Sequence, residues 1–93
     1  MVSMAGTTEF VKLGQRGLVV DLEEASKKLD VKRDTGLDFS SVRRINSAEL
    51  QAMERFAGVA NEKGIKVVVR GVNVDVYKVL TLMGLTRRFS FVS

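Results

Sequence analysis

The sequence predicts an α/β fold: a small mixed β-sheet of four to five strands, with two main helices and one short helix packed mainly on one face. Short β-branched or alternating apolar runs recur along the chain, as in strands. Between them, two longer segments repeat apolar residues with a helical period, and each ends at a glycine. The strand-helix-strand order favours parallel pairing with right-handed crossovers.

The N-terminal third is predicted to begin with a hairpin. Residues 1–8 are small and polar and read as a loose N-terminus, which leaves residues 9–93 as a single domain. Phe10 and Leu13 mark a first strand, the stretch 14–17 supplies a glycine turn, and residues 18–20 are a short apolar run that ends in two β-branched valines. These features together favour two antiparallel strands.

A short helix and a further strand are expected next. Glu23 and Glu24 lie four residues before Lys27 and Lys28, which is the favourable order for helical ion pairs. This segment is weakly apolar, so one or two helical turns are predicted. The stretch "LDFSSV", residues 37–42, is then a compact strand.

The first main helix has a clear start and end. Asn46 is a good N-cap, Ser47 becomes the first helical residue, and Glu49 stands where a capping box needs a carboxylate. Gly64 can end the helix in the left-handed conformation. The apolar stripe between them comprises Leu50, Met53, Ala57 and Ala60, widened by Phe56 and Val59.

A central strand, a second helix and a closing strand complete the predicted fold. "IKVVVRGV" is an almost continuous apolar run. Asn73 can cap the second helix and Gly84 can end it, with Met53 and Met83 both expected in the core. In the closing "RRFSFVS", Phe89 and Phe91 share one face, where core is favoured although an edge strand could also form a homodimer.

Composition favours a binding module over an enzyme. The 93 residues include no cysteine and no histidine, and the eleven acids form no obvious convergent pair. No catalytic residue, metal or cofactor is therefore predicted. The mean hydropathy is +0.06, and neither a secretion signal nor a membrane-spanning run is present, so a cytoplasmic protein without membrane insertion is expected.

The net charge of +4 does not by itself indicate a nucleic-acid site. The basic residues are scattered among acids, and the six aromatic residues form no stacking platform, so no nucleic acid is predicted as a partner. Arg87 and Arg88 are interpreted as a solvated turn in preference to an anion site.

The junction "RRINSAEL" is the strongest candidate site. The Ser47 hydroxyl is expected at the positive end of a helix and at the carboxyl end of a strand, where α/β sheets usually present functional groups. A phosphate would be favourable there, with Arg43 and Arg44 close in sequence. The alternative interpretation is a well-capped helix start without further function.

Residues 37–92 resemble the STAS domain family of anti-sigma factor antagonists and sulfate-type anion transporters. The likeness runs in order through "LDFSSVRRINSAEL" and "ANEKGIKVVVRGVNVDVYKVLTLMGLTRRFSFV". It implies a sheet of four or five strands and no catalytic activity. The family's phosphorylatable serine or threonine corresponds to Ser47, while Asn46, Ala48 and Glu49 replace the family's Asp, second Ser and Gly.

The resemblance implies a regulatory module that binds an anti-sigma factor or other serine-kinase-like ATPase and is released when Ser47 is phosphorylated. The predicted partner surface comprises Arg43, Arg44, Asn46, Ser47, Ala48, Glu49 and Asn73. An alternative is an accessory STAS subunit that braces the ATPase of an ABC lipid transporter, which "GVNVDVYKVLTLMGL" resembles. A detached STAS domain of an anion transporter is a third interpretation.

Overall fold

The computed structural model describes residues 8–92, in which strands and helices alternate along the chain. The strands are β1 (Phe10–Lys12), β2 (Thr35–Asp38), β3 (Val67–Arg70) and β4 (Ser90–Val92). The helices are α1 (Leu18–Lys27), α2 (Ser47–Glu62) and α3 (Val74–Leu82), and a 3-10 turn, Leu85–Arg87, precedes β4. The predicted α/β class is confirmed, with four strands and three helices.

The strands form one sheet in the order β1-β2-β3-β4, and all neighbours are parallel. The sheet is therefore parallel throughout, whereas the sequence predicts a mixed one. Right-handed crossovers between strands in sequence order place successive helices on the same face. In agreement, buried side chains of all three helices join Leu37, Val67 and Val69 in a single apolar core.

The opposite face of the sheet carries a small polar-aromatic cluster. Phe10 pairs in register with Gly36, and its ring lies against that glycine. The Arg70 guanidinium lies 4.0 Å from the centre of the Phe10 ring and also contacts Asp38. Val68 is only 9% exposed but lies outside the main core, so this face is partly covered by its own side chains.

The predicted N-terminal hairpin is wrong. Residues 18–20 begin α1, and β1 pairs with β2 in parallel instead of with a neighbouring strand. Leu18, Leu22 and Ala25 are buried at a spacing of four and three residues, which is a helical period. Val19 and Val20, the β-branched pair at the helix start, are therefore helical because of tertiary packing, although β-branched residues favour strands.

Helix α1 is also longer than predicted. It spans ten residues instead of one or two turns. Within residues 8–92, Glu23 and Glu24 form no ion pair with Lys27 or Lys28, and Glu24 pairs with Arg16 in the preceding loop. Burial of an apolar stripe, and not surface ion pairing, accounts for this helix.

The predicted limits of the other two helices are confirmed. Asn46 caps α2 and Asn73 caps α3 through their side-chain oxygens. Gly64 and Gly84 follow the helix ends with φ of 68° and 71°, the left-handed conformation that glycine adopts without strain.

The predicted core is mostly confirmed, with one correction. Met53 is fully buried and Phe89 is buried, while Phe91 is half-buried and packs edge-on against Tyr77. Met83, in contrast, is 49% exposed because α3 ends at Leu82 and the chain turns there. The assignment of Met83 to the core is therefore wrong.

The loose N-terminus predicted for residues 1–8 lies outside the described residues except for Thr8. Among the helices within residues 8–92, none combines the length and the apolarity needed to cross a membrane.

Candidate functional site

The candidate site lies at the carboxyl edge of the parallel sheet. Strand β2 ends at Asp38 and leads through a loop to α2, and β3 ends at Arg70 and leads through a shorter loop to α3. Because these strands are parallel, both loops and both helix starts lie at the same edge. This edge therefore carries the positive ends of two helix dipoles.

The start of α2 is held by a reciprocal capping box. The Asn46 side-chain oxygen accepts a hydrogen bond from the Glu49 backbone N–H, and the Glu49 carboxylate accepts one from the Asn46 backbone N–H, both at 2.8 Å. This prediction is confirmed. Glu49 is consequently occupied by its own helix start, which fixes the backbone around Ser47.

Ser47 is the first residue of α2, and its side chain is exposed. Within the described residues, its hydroxyl makes no hydrogen bond to the protein. Ala48 beside it is also exposed, while Glu49 is half-buried. The helix start thus presents a free hydroxyl flanked by a small side chain, a geometry open to a partner or a modifying enzyme.

Asn73 connects the two helix starts. Its side-chain oxygen accepts from the Val76 backbone N–H at 2.8 Å and so caps α3. Its amide nitrogen donates to the carbonyl oxygens of Arg43 and Val42, at 3.1 and 3.4 Å. The structure therefore brings Asn73 together with the loop before Ser47, although the two segments are about thirty residues apart in sequence.

Arg43 and Arg44 each bring a positive charge to the site. Both side chains are exposed, and neither forms an ion pair with another residue of the described chain. Arg44 lines a hollow between its loop and α3, together with Ile45 and Asp75. The guanidinium groups are therefore available to an external anion or an acidic partner.

Beside this site lies a second polar group, which was not among the residues predicted from the sequence. The Asp38 carboxylate accepts a hydrogen bond from the Ser40 backbone N–H at 2.8 Å and one from Arg70 at 3.0 Å. The hydroxyl and backbone N–H of Ser40, together with Arg70, lower the pKa of Asp38 to about 2, against the opposing effect of burial. Asp38 is therefore a fixed negative charge.

Of the two hydrogen bonds to Asp38, the one from Ser40 could have been predicted from the sequence. An aspartate two residues before a serine at a strand end is typical of an Asx-turn. The partner Arg70 is thirty-two residues away, and local pattern cannot supply that contact. Gly71 directly follows Arg70 at the same edge of the sheet. Its φ is 74°, and a Cβ there would lie 3.0 Å from the Ser40 nitrogen.

No protein-family model matches the chain, and no curated protein matches it. The resemblance to STAS domains therefore stays a prediction based on the quoted residues. The site is accordingly interpreted from its geometry: a free hydroxyl, two unpaired guanidinium groups and two helix starts on one exposed edge.

Proposed function

We propose that the protein is a non-catalytic, cytoplasmic regulatory module that binds a serine-kinase-like or other ATPase through the start of α2. The observation that carries this proposal is the exposed Ser47 hydroxyl, presented without an internal partner by a rigidly capped helix. The connection through Asn73 adds the start of α3 to the same surface. A partner can thus contact two fixed loops at once.

Phosphorylation of Ser47 would act as the release signal. A phosphate adds about −1.5 to −2 charges to a surface that otherwise presents a neutral hydroxyl. The positive end of the α2 dipole favours that charge, so the fold itself tolerates the modification. The partner, whose surface complements a neutral hydroxyl, loses binding energy instead.

The test is a capture experiment from the host with four baits: wild type, Ser47→Ala, Ser47→Asp and Val31→Glu. Val31 is 67% exposed in the loop before β2, at the edge of the sheet opposite Ser47, so Val31→Glu adds the same charge away from the site. We expect Ser47→Asp to reduce capture of a kinase-like ATPase by about tenfold or more. Ser47→Ala and Val31→Glu should retain it.

Stability measurements separate loss of binding from loss of fold. Because an acidic residue at the first helical position interacts favourably with the dipole, Ser47→Asp should unfold at the same temperature as wild type or slightly higher. Equal capture by all four baits, or a Ser47 that mass spectrometry finds unphosphorylated under every growth condition, would count against the switch.

A second candidate function is an accessory subunit that braces an ABC-transporter ATPase. The observation that favours it is that the exposed side of α3 carries three large apolar side chains: Val74 is 69% exposed, Leu82 is 85% exposed, and Tyr77 is 45% exposed. A permanent partner would cover these side chains.

The two candidates differ in which variant breaks the complex. If the protein braces a transporter ATPase, all Ser47 baits capture that ATPase and Val74→Ser/Leu82→Ser does not. Loss of capture with Ser47→Asp alone would exclude the accessory role. Since both apolar residues are exposed, the double variant should fold like wild type, which thermal unfolding can verify.

A further inference from the structure

The two edges of the sheet differ in charge. In the sheet that residues 8–92 form, β1 and β4 are the outer strands, so each has one side without a paired neighbour. The β1 edge is charged, because Lys12 lies in the strand and an ion pair between Glu9 and Arg33 lies beside it. Charged side chains on an edge hinder the pairing of a further strand. The β4 edge, Ser90–Val92, carries neither a charge nor a proline.

Apolar side chains border β4 on both faces of the sheet. Phe91 points towards the helices, where its ring packs edge-on against Tyr77 of α3 with 5.2 Å between the ring centres. Val92 points to the opposite face and is 46% exposed. Val74 is 69% exposed and lies three residues before Tyr77, on the same side of α3. The open side of β4 therefore offers main-chain donors and acceptors between exposed apolar side chains.

The distribution of charge suits this edge to a second copy of the chain. The net charge is +4, so two copies repel each other on average. Strand β4 is uncharged, and α3 has one charge of each sign, Asp75 and Lys78. Two copies can therefore approach at this edge with little of that repulsion.

Antiparallel pairing of β4 with the β4 of a second copy gives a twofold axis between the two Phe91 residues. Ser90 of each copy then lies opposite Val92 of the other, and the two Phe91 side chains lie opposite each other on the helix face. Arg88 precedes the strand, and this pairing separates the two Arg88 residues by about six positions, or roughly 20 Å. That distance exceeds the Debye length of about 8 Å at physiological ionic strength, so their repulsion is screened.

We infer that the protein forms a twofold-symmetric homodimer through its β4 edges. The two four-stranded sheets join into one, with Val74 and Tyr77 of both α3 helices beside the axis. Leu82 lies five residues after Tyr77 and points about 140° away around α3, so it is outside the interface. The inference does not rest on the proposed function. Because the two sheets run in opposite directions, the two Ser47 sites lie at opposite ends of the dimer and stay exposed.

Sedimentation equilibrium at protein concentrations from about 1 µM to about 1 mM measures the association. Wild type should pass from monomer to dimer without larger species, because a twofold interface closes on itself. Val92→Lys places two positive charges in the interface and should raise the dissociation constant about tenfold or more. Arg70, the in-register neighbour of Val92, is already paired with Asp38, so the monomer tolerates the lysine.

The matched control is Val11→Lys in the middle of β1. Val11 is 38% exposed and Val92 is 46% exposed, so the two substitutions add the same charge at similar exposure to opposite edges of the sheet. Val11→Lys should change the dissociation constant less than about twofold. Both variants should unfold at the wild-type temperature in dilute solution, because both side chains are exposed.

Disulfide trapping tests the register, since the chain has no cysteine of its own. Pairing centred on Phe91 brings Ser90 within disulfide reach of Val92 in the other copy, whereas two Ser90 or two Val92 residues are diagonal and farther apart. An oxidised mixture of the Ser90→Cys and Val92→Cys proteins should therefore form covalent dimer several-fold faster than either protein alone.

Three results of the sedimentation experiment would overturn the inference: a wild type that stays monomeric throughout, oligomers that keep growing with concentration, or equal effects of Val11→Lys and Val92→Lys. Equal rates of disulfide trapping in the mixture and in the separate samples would also overturn it, because the predicted register would then be absent.

Discussion

At the residue scale, Asp21 holds the loop between β1 and α1. Its side chain is 6% exposed, and one carboxylate oxygen accepts hydrogen bonds from the backbone N–H groups of Gly14 and Gln15, both at 2.9 Å. The Arg16 N–H approaches the same oxygen at 3.4 Å. A single side chain therefore satisfies the donors of a loop that has no strand partner of its own.

We predict that Asp21→Ala lowers the free energy of unfolding by about 2 to 3 kcal/mol, because it removes the charged acceptor of the hydrogen bonds from the Gly14 and Gln15 N–H groups. Denaturant titration monitored by circular dichroism measures the change. Glu23→Ala, on the exposed side of the same helix, should change stability by less than about 0.5 kcal/mol. Similar losses in both variants would contradict the role given to Asp21.

Asp38 makes stability depend on pH in the acidic range. Its pKa in the folded protein is about 2, below the ordinary value of 3.8, because Ser40 and Arg70 favour the charged form. The stabilisation is therefore complete above pH 3.8 and is lost as the pH falls from 3.8 towards 2. With screening by solvent, we expect a loss of about 1 kcal/mol.

Urea titrations at several acidic pH values check this prediction. Asp38→Asn should be less stable than wild type at pH 7 and should show a flatter dependence below pH 4, because the titrating group is gone. An unchanged pH dependence in Asp38→Asn would assign the effect to other carboxylates.

Hydrogen bonds between residues on one helical turn can be predicted from the sequence, whereas those between distant segments cannot. Asn46 and Glu49 were identified from the sequence because their partners lie three residues away on one helical turn. The acceptor role of Asp21 depends on a loop folding back over seven residues, and that of Asp38 on a neighbouring strand. No local residue pattern predicts these contacts of Asp21 and Asp38.

At the element scale, two glycines with different surroundings provide a test of the sheet. Gly36 is buried in β2, where a Cβ would lie 2.8 Å from the Glu9 carbonyl oxygen and from the Phe10 ring. Gly58 lies inside α2, and a Cβ there would meet nothing within 4 Å. The same substitution should therefore have opposite effects at the two positions.

We predict that Gly36→Ala destabilises the protein by about 1 to 3 kcal/mol, because the Glu9 backbone just before β1 and the Phe10 ring must move to admit the methyl group. Gly58→Ala should stabilise it by about 0.5 to 1 kcal/mol through the better helix propensity of alanine. Thermal unfolding of both variants shows whether each is less or more stable than the wild type. A stable Gly36→Ala protein would show that β1 does not pack on β2 at this point.

The start of α1 shows why one element was predicted wrongly. Leu18, Val19 and Val20 form an apolar run with two β-branched valines after a glycine turn, a pattern typical of a hairpin strand. The helical alternative is weak over three residues and becomes clear only when Leu22 and Ala25 are counted in the same stripe. Those residues are buried because α1 packs against α2, which is a tertiary contact.

At the scale of the whole molecule, α3 divides its side chains between a core and an open surface. Leu80 is fully buried, whereas Leu82, two residues later, is 85% exposed. We predict that Leu80→Ala costs about 2 to 5 kcal/mol, while Leu82→Ala changes stability by less than about 0.5 kcal/mol. Chemical denaturation of the two variants decides this, and comparable losses would show that Leu82 is covered in solution.

The sequence alone determined the α/β class, the limits of α2 and α3, and the capped helix start at Ser47. It could do so because these features depend on helical periodicity and on hydrogen bonds within one turn, all of which are local. The tertiary structure alone decided that β1 is a parallel edge strand, that Asn73 joins the two helix starts, and that Asp38 pairs with Arg70. These contacts join segments about twenty-five to thirty residues apart, and they form because strands that end at one edge of a parallel sheet bring their loops together.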